Sequence, residues 1–417
     1  MEIRKPIPVS SAVEKVINHS KPLPIIEIDY LNSLGYSLAE PIIAKHDVPS
    51  FNRSPYDGFA VRSIDTKGAS STERILFNVI DHIGAGEVSN HTIGPFEAIR
   101  IMTGAMIPKG ADCVIMFEQT LEYGNSFTIR KPFEPNENIS LQGEDAKKGE
   151  ELIPAGTLIH PGTIALLATF GYHKVKVRRK PKVGVICTGT ELIDVEDELV
   201  PGKIRNSNGP MIIAQLARMG IEGTYYGMFS DDLDTCLSLV EQVFKENDLV
   251  ITTGGVSVGD FDFLPQIYKE LGAEVLFNKV AMRPGSVTTV AVLDGKLLFG
   301  LSGNPSACFT GFELFARPAI QTMMGNRKVF LPQVKAYLEE DFFKPNPFTR
   351  FVRSLYTFTD GKPVIRPAGF NKSNAVSSIA KGNAIMVLPG GTRNFKAGDL
   401  VDVLLLGLED GVESWTI

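Results

Sequence analysis

The sequence has 417 residues, 43% hydrophobic and 22% charged, with a formal net charge of −6. That length exceeds one ordinary core and predicts two to four folded domains of ordinary globular composition. The acidic balance argues against nucleic acid as a partner of the whole chain, and no apolar run reaches the roughly 18 residues a membrane span needs.

The opening MEIRKPIPVSSAVEKV lacks a signal-peptide apolar segment, so the cytoplasm is the expected compartment. Residues 9 to 20 place Val13, Val16 and Ile17 at helical spacing behind Ser10 and Ser11, which predicts a short amphipathic helix. From about 46 to 142 the texture changes to short strands cut by turn residues, a small β domain. Two of its turns carry polar groups, Asp57 in SPYDGFA and Thr103 in RIMTGAMIPKGAD. Each has a local explanation, because Asp and Thr bond their own backbone in turns.

Residues 143 to 178 return to an extended and then helical pattern, with Asp145 in QGEDAKKGE. The β domain therefore looks inserted between two stretches that rejoin each other. The basic run His173 to Lys182 alternates Val with Lys or Arg, the pattern of an exposed strand with a solvated face. Cys113, Cys187, Cys236 and Cys308 are widely spaced in apolar contexts, which excludes a CxxC motif and favours buried thiols.

Between about 179 and 326 strand and helix alternate, predicting a mostly parallel sheet covered on both faces. Strand-like runs are 183–188, 223–229, 249–253, 275–277, 287–292 and 297–301; helix-like runs are 209–219, 232–245, 263–271 and 305–324. Three of the strands end in glycine-bearing loops, TGTEL, TGGVSVGDFD and SGNPSA, and in an open parallel sheet all three emerge at the carboxyl edge, where such folds bind ligands. Gly254, Gly255 and Gly259 allow backbone amides to approach a phosphate closely. Asp260 and Asp262 then call for a divalent cation as mediator, although a tight connection with Asp262 as a helix cap uses the same residues. Pro305 opens a long helix whose first-turn amides would form an anion site. Glu191, Asp231 and Asp232 flank the same edge, as solvated or capping residues or as part of a metal and phosphate site. Neither a dinucleotide fingerprint nor a P-loop is present. From 327 onward the chain is β again, with a hairpin turning at Asp360-Gly361 and two further strands, predicting a small barrel or sandwich.

The expected fold is thus a multidomain α/β plus β protein. A discontinuous N-terminal and linker domain (1–45 and 143–178) is interrupted by an inserted small β domain (46–142) and is followed by a doubly wound, mostly parallel α/β domain (179–326) and a C-terminal β-barrel-like domain (327–417).

In order, SPYDGFA, RIMTGAMIPKGAD, QGEDAKKGE, CTGTEL, TTGGVSVGDFDF and SGNPSA resemble the molybdopterin molybdenumtransferases, the molybdenum-insertion enzymes related to the E domain of gephyrin, over essentially the whole chain. The resemblance implies an elongated homodimer whose α/β domain holds the nucleotide-linked pterin and faces the inserted β domain of the other subunit. It implies a Mg2+-dependent reaction in which molybdate and adenylylated molybdopterin yield molybdenum cofactor and AMP, with a molybdopterin adenylyltransferase as a possible partner. Carried over by position, Glu191, Asp231 and Asp262 match acidic positions at the metal and pyrophosphate site. Asp57, Thr103 and Asp145 match functional positions from the other side of the cleft, and Lys279 a basic position suited to an oxyanion or phosphate. The three loops supply Thr188, Gly189, Gly254, Gly255, Ser257, Gly259, Ser302, Gly303, Asn304 and Pro305 for the pterin nucleotide. Arg283 and Arg353 are candidates for molybdate, read otherwise as ordinary exposed arginines.

The chain departs from the usual KPGKP-like stretch, with Arg283-Pro284-Gly285-Ser286-Val287 in its place, and it has Ser302 where many members carry Pro. Arg keeps the charge but not the geometry of Lys. Two other readings are a molybdopterin adenylyltransferase, which the extra β domains argue against, and a non-catalytic carrier or scaffold, which the retained carboxylates argue against.

Overall fold

The computed structural model describes residues 5–229, 233–254 and 264–407. The chain forms two compact units, one of Glu40–Ala155 with Gly162–His173, the other of Met1–Ala39, Gly156–Pro161 and Lys174–Ile417. No helix among the described residues is long and apolar enough to cross a membrane.

The smaller unit is built on a six-stranded sheet in the order Cys113–Met116, Gly58–Val61, Glu97–Ile101, Ile75–Ile83, Ser126–Ile129, Thr120–Tyr123. Alternate residues of its strands feed two separate apolar clusters, Phe59 and Val61 in one and Ala60 in the other, so both faces are covered. Phe59 stacks on Phe127 at 3.9 Å between centroids. Gly58 is required where it stands, since a Cβ there would lie 2.1 Å from the Ile115 carbonyl oxygen of the neighbouring strand.

In the larger unit the N-terminal helix forms as expected, over Val9–His19, and buries Ala12 and Val16 in the main core. The basic run holds the strand Lys174–Arg178, paired antiparallel with Ile25–Asp29, with Val175 and Val177 buried and Lys174 and Lys176 exposed.

The α/β sheet runs in the order Gly223–Phe229, Val183–Thr188, Leu249–Thr253, Lys296–Leu301, Thr289–Leu293, Glu274–Phe277. The first four strands are parallel, and Thr289–Leu293 runs antiparallel to both of its neighbours, Lys296–Leu301 and Glu274–Phe277. Leu249 and Ile251 pack into one core with Ile212 and Leu216 of the helix Asn208–Arg218, whereas Val250 packs with Val240 and Val243 of the helix Leu233–Glu246. This two-sided burial explains why every residue of the strand is buried instead of alternate ones. The long C-terminal helix is interrupted, with α-helix over Pro305–Gly311, a π turn over Phe312–Ala316 and α-helix again over Arg317–Met323. Pro318 has no N–H for the carbonyl four residues back, and the widened turn lies where that bond is missing.

The C-terminal strands close into a ring: Thr349–Thr359 pairs with Lys362–Pro367, then Gln333–Leu338, Leu400–Leu405 and Ala384–Leu388, which returns to Thr349–Thr359. A barrel, not a sandwich, is the outcome, with Ala336, Val352, Ile365, Met386 and Val403 among its core. Its hairpin turns at Asp360 and Gly361, both at positive φ, as an Asp-Gly turn of this type requires. The three cysteines whose side chains are described, Cys113, Cys187 and Cys308, are buried and unbridged.

Candidate active site

Chain direction alone creates a crevice at the carboxyl edge of the α/β sheet. The strand Val183–Thr188 leads through one helix to Gly223–Phe229 on its left and, through a second helix on the opposite face, to Leu249–Thr253 on its right. The strand order therefore reverses between residues 188 and 253, the topological switch point where open α/β sheets hold ligands.

The loops leaving that edge are bonded to one another. Thr253 Oγ1 donates to the Ser302 carbonyl at 3.1 Å, and the Gly254 amide to the Leu301 carbonyl at 3.2 Å. Asn208 Nδ2 donates to Thr253 Oγ1 and to the Gly303 carbonyl, each at 2.8 Å, tying the start of a helix to both loops. Gly254 has φ +94°, and a Cβ on it would lie 2.1 Å from the Thr188 carbonyl oxygen, so no other residue fits between the two strand ends. Two polar atoms here are buried without a hydrogen bond among the described residues, Thr188 Oγ1 and Asn208 Oδ1. Each such atom costs about 1–3 kcal/mol until something bonds it, and ligand sites are where such atoms are tolerated.

Glu191 is exposed, with its carboxylate folded back against Gly189, where a Cβ would sit 2.7 Å from Glu191 Oε2. Among the described residues the carboxylate has no hydrogen-bond or ion-pair partner, and among them no three His, Cys, Asp or Glu residues cluster as a metal centre. Asp231, Gly255, Ser257, Gly259, Asp260 and Asp262 lie outside the described residues. Lys279 is half-buried, and its carbonyl accepts the Ile7 amide at 3.1 Å.

A second feature adjoins this edge. Ser302 and Asn304 also line a cleft of about 760 Å³ that runs on to the C-terminal barrel. Arg283, Lys344, Arg350, Arg353 and Lys372 line it, and no carboxylate does among the described residues. Such a lining selects for anions. Arg353 is only 2% exposed, so it is not an ordinary surface arginine. Its Nε donates to Ser378 Oγ and its Nη2 to the Lys372 carbonyl, each at 3.2 Å. Burial pushes its pKa down to about 10, which leaves it protonated at neutral pH. Lys279 does not line this cleft.

The expected anion site on the first-turn amides after Asn304 is not what forms. The Ser306 amide donates to the Ser373 carbonyl at 3.0 Å, and those of Ala307 and Cys308 to the Asn304 carbonyl at 3.0 and 2.9 Å. A loop of the C-terminal domain packs on the helix start and takes up the free donor. Positive charge in this cleft therefore comes from side chains.

In the smaller unit, the antiparallel register that pairs Gly58 with Ile101 brings the residues just outside those two strands together. Asp57 Oδ1 accepts from the Thr103 amide at 2.7 Å and from Thr103 Oγ1 at 2.9 Å. Those two bonds, the amide's first, hold the Asp57 carboxyl below its usual pKa, so it is a carboxylate at neutral pH. Asp145 is exposed and has no hydrogen bond to either residue through its carboxylate; its amide donates to the Val48 carbonyl at 3.0 Å.

Sequence reasoning missed Asn208, Lys344, Arg350 and Lys372. Asn208 sits in RNSNGP, and a short polar side chain at a helix start following a ligand-edge strand was a usable signal. For Arg350 there was none, because a period of two places residues 350 and 353 on opposite faces of one strand.

Comparison with known proteins bears on the whole chain. Residues 7–171 match the MoeA N-terminal region (domain I and II), residues 184–322 the probable molybdopterin binding domain and residues 335–406 the MoeA C-terminal region (domain IV). The chain is 58% identical over 405 residues to a molybdopterin molybdenumtransferase of Staphylococcus aureus, covering 97% of each chain. It is 57% identical, at the same coverage, to the protein of that name from Staphylococcus epidermidis. Among solved structures it superposes on the molybdopterin biosynthesis MoeA protein of Pyrococcus horikoshii with a TM-score of 0.83 and 29% identity, covering 96% of this chain and 100% of that one.

Proposed function

We propose a reaction from one premise: the chain belongs to the molybdopterin molybdenumtransferases, and it is an enzyme of molybdenum cofactor biosynthesis. In the proposed reaction, adenylylated molybdopterin and molybdate are the substrates, and the phosphoanhydride is cleaved as the metal is inserted, releasing AMP.

One observation carries this reading. Ser302 and Asn304 belong both to the loops at the carboxyl edge and to the cationic cleft, so a pterin nucleotide at the first lies beside an oxyanion in the second. Thr188 Oγ1 and Asn208 Oδ1 are polar atoms available to the nucleotide, and the amides around Gly254 can approach its phosphates. Arg283 and Arg353 hold molybdate, a dianion that a lining without carboxylates among the described residues leaves unopposed. Glu191 offers the hard, unpaired oxygen donors that a divalent cation takes, and with Asp231 and Asp262 it would hold Mg2+, which supplies positive charge to the leaving phosphate. Lys279 adds a cation near the same edge. In this reading the protein works in the cytoplasm as a homodimer, in which Asp57, Thr103 and Asp145 of one copy serve the carboxyl edge of the other, and an adenylyltransferase supplies the substrate.

The test is AMP release from adenylylated molybdopterin by purified protein with Mg2+, with and without molybdate, for wild type, Glu191→Gln and Asp262→Asn. Molybdate-stimulated release that falls at least about 100-fold in each variant is expected, the scale for losing one electrostatic group of a reaction centre. Tight binding of the adenylylated pterin without release under any oxyanion would overturn the proposed reaction.

A further inference from the structure

The short strand Met282–Arg283 pairs in parallel with the start of Thr349–Thr359, in a register that sets Arg283 beside Arg350. Like charges at paired positions of a sheet repel, and among the described residues no carboxylate lines the shared cleft to relieve this pair. Arg283 is exposed and has no hydrogen-bond or ion-pair partner among the described residues. Arg350 is held in place. Its Nε donates to Asn346 Oδ1 at 2.6 Å and its Nη2 to the Pro345 carbonyl at 3.0 Å. Asn346 is itself 1% exposed and is anchored by Thr392 and Gly391. A buried amide and a backbone carbonyl thus fix a half-buried guanidinium next to a second one, an arrangement that is unfavourable unless a ligand is shared between them.

We infer that Arg350 is a binding and specificity residue for the oxyanion, and that Arg283 and Arg350 form a clamp that closes on one tetrahedral dianion. The inference rests on the reading of the cleft as the molybdate site and adds to it a residue outside the sequence-based set. Two guanidinium forks present more parallel N–H donors to a tetrahedral oxyanion than two ammonium groups would, which favours a large, doubly charged ion over a monoanion. Burial and, after it, the charge of Arg283 press the pKa of Arg350 downward, as a cation lacking its counter-ion should show. Ser286 lines the same cleft without charge, so it is a place where a replacement cation can be installed.

The experiment titrates molybdate, tungstate and sulfate calorimetrically into the full-length protein and measures KM for molybdate in the AMP-release assay. The variants are Arg350→Gln, Arg350→Lys, the double variant Arg350→Gln with Ser286→Lys, and Lys335→Gln as a control for net charge on the far, exposed Lys335–Asp402 pair. Arg350→Gln is expected to weaken molybdate binding about 10–100-fold, the scale of a charge-assisted bidentate contact, and to raise KM for molybdate alone. Affinity for adenylylated molybdopterin should stay within about twofold, Arg350→Lys should recover part of the loss, and the double variant should regain affinity through its new ammonium. Arg350→Gln binding molybdate as wild type does, or weakening no more than Lys335→Gln, would sink the inference. The two readings fail separately. Oxyanion binding that depends on Arg350 in a protein that releases no AMP ends the proposed reaction and keeps the clamp, whereas AMP release with a molybdate KM indifferent to Arg350 does the reverse.

Discussion

Asp57 and Thr103 are 46 residues apart in the chain, yet a single carboxylate oxygen of Asp57 accepts both the amide and the hydroxyl of Thr103. Each residue, read alone, had a sufficient local role in its own turn; together they are a preorganised carboxylate held in one orientation. The antiparallel pairing of the strands beginning at Gly58 and ending at Ile101 produces the contact.

Thr103→Val removes one of the two donors and keeps the amide. The Asp57 carboxyl is therefore expected to titrate at higher pH than in wild type while remaining below the usual carboxylate range, followed by its 13C chemical shift. The sign follows from linkage: bonds to the ionised form depress the folded-state pKa, so their contribution is present above the unfolded value and lost as pH falls through the folded one. Turnover should drop in step if this carboxylate serves the reaction.

Mixing copies tests whether Asp57 and Glu191 act in one reaction from different subunits. Asp57→Asn and Glu191→Gln are each expected to be inactive, and co-refolded one to one they should recover about a quarter of wild-type activity, because half of the dimers are mixed and each carries one intact site. No recovery in confirmed mixed dimers would place both residues in the same copy's site or in none.

Gly254→Ala combines a positive φ with a 2.1 Å approach to the Thr188 carbonyl, whereas Gly272→Ala, at φ +71° with nothing within 4 Å, meets the φ penalty alone. Urea unfolding should show a loss of about 1–2 kcal/mol for Gly272→Ala and a larger one for Gly254→Ala. Only the second should also weaken binding of the adenylylated pterin.

Asn208→Asp keeps size but turns a donor into an acceptor facing Thr253 Oγ1 and the Gly303 carbonyl. A destabilisation of about 1–3 kcal/mol is expected, with a rise in KM for the pterin substrate greater than that for molybdate. Equal changes in both would show that Asn208 supports the domain and not the loops specifically.

Asp248 provides the clearest pH dependence of stability. Burial taken alone raises its pKa, but the bidentate Arg179 guanidinium, at 2.7 and 2.9 Å, and the Lys182 amide bring it below the usual value. A depressed folded-state pKa contributes stability above the unfolded value, lost as pH falls through the folded one. Asp248→Asn should cost on the order of 1 kcal/mol at pH 7, the pair being partly exposed, and distinctly less near pH 3, measured by urea unfolding at both.

Local chemistry made much of the architecture legible. The largely apolar runs at 183–188 and 249–253, without a charged residue, are strands because a sheet covered on both faces buries both sides of each strand. Asp360-Gly361 is a hairpin because both of its residues accept positive φ, and the three strands that lead into the glycine-bearing loops end at one edge because they are parallel. What remained was decided by groups far apart in sequence. The Ser306 amide is spent on Ser373, Arg353 is buried instead of exposed, and Arg283 meets Arg350, all because the C-terminal barrel packs where the α/β domain begins its last helix. A sequence records each residue's propensity and charge. Which donor is already satisfied, and which charge is left facing another, is set only when distant segments pack.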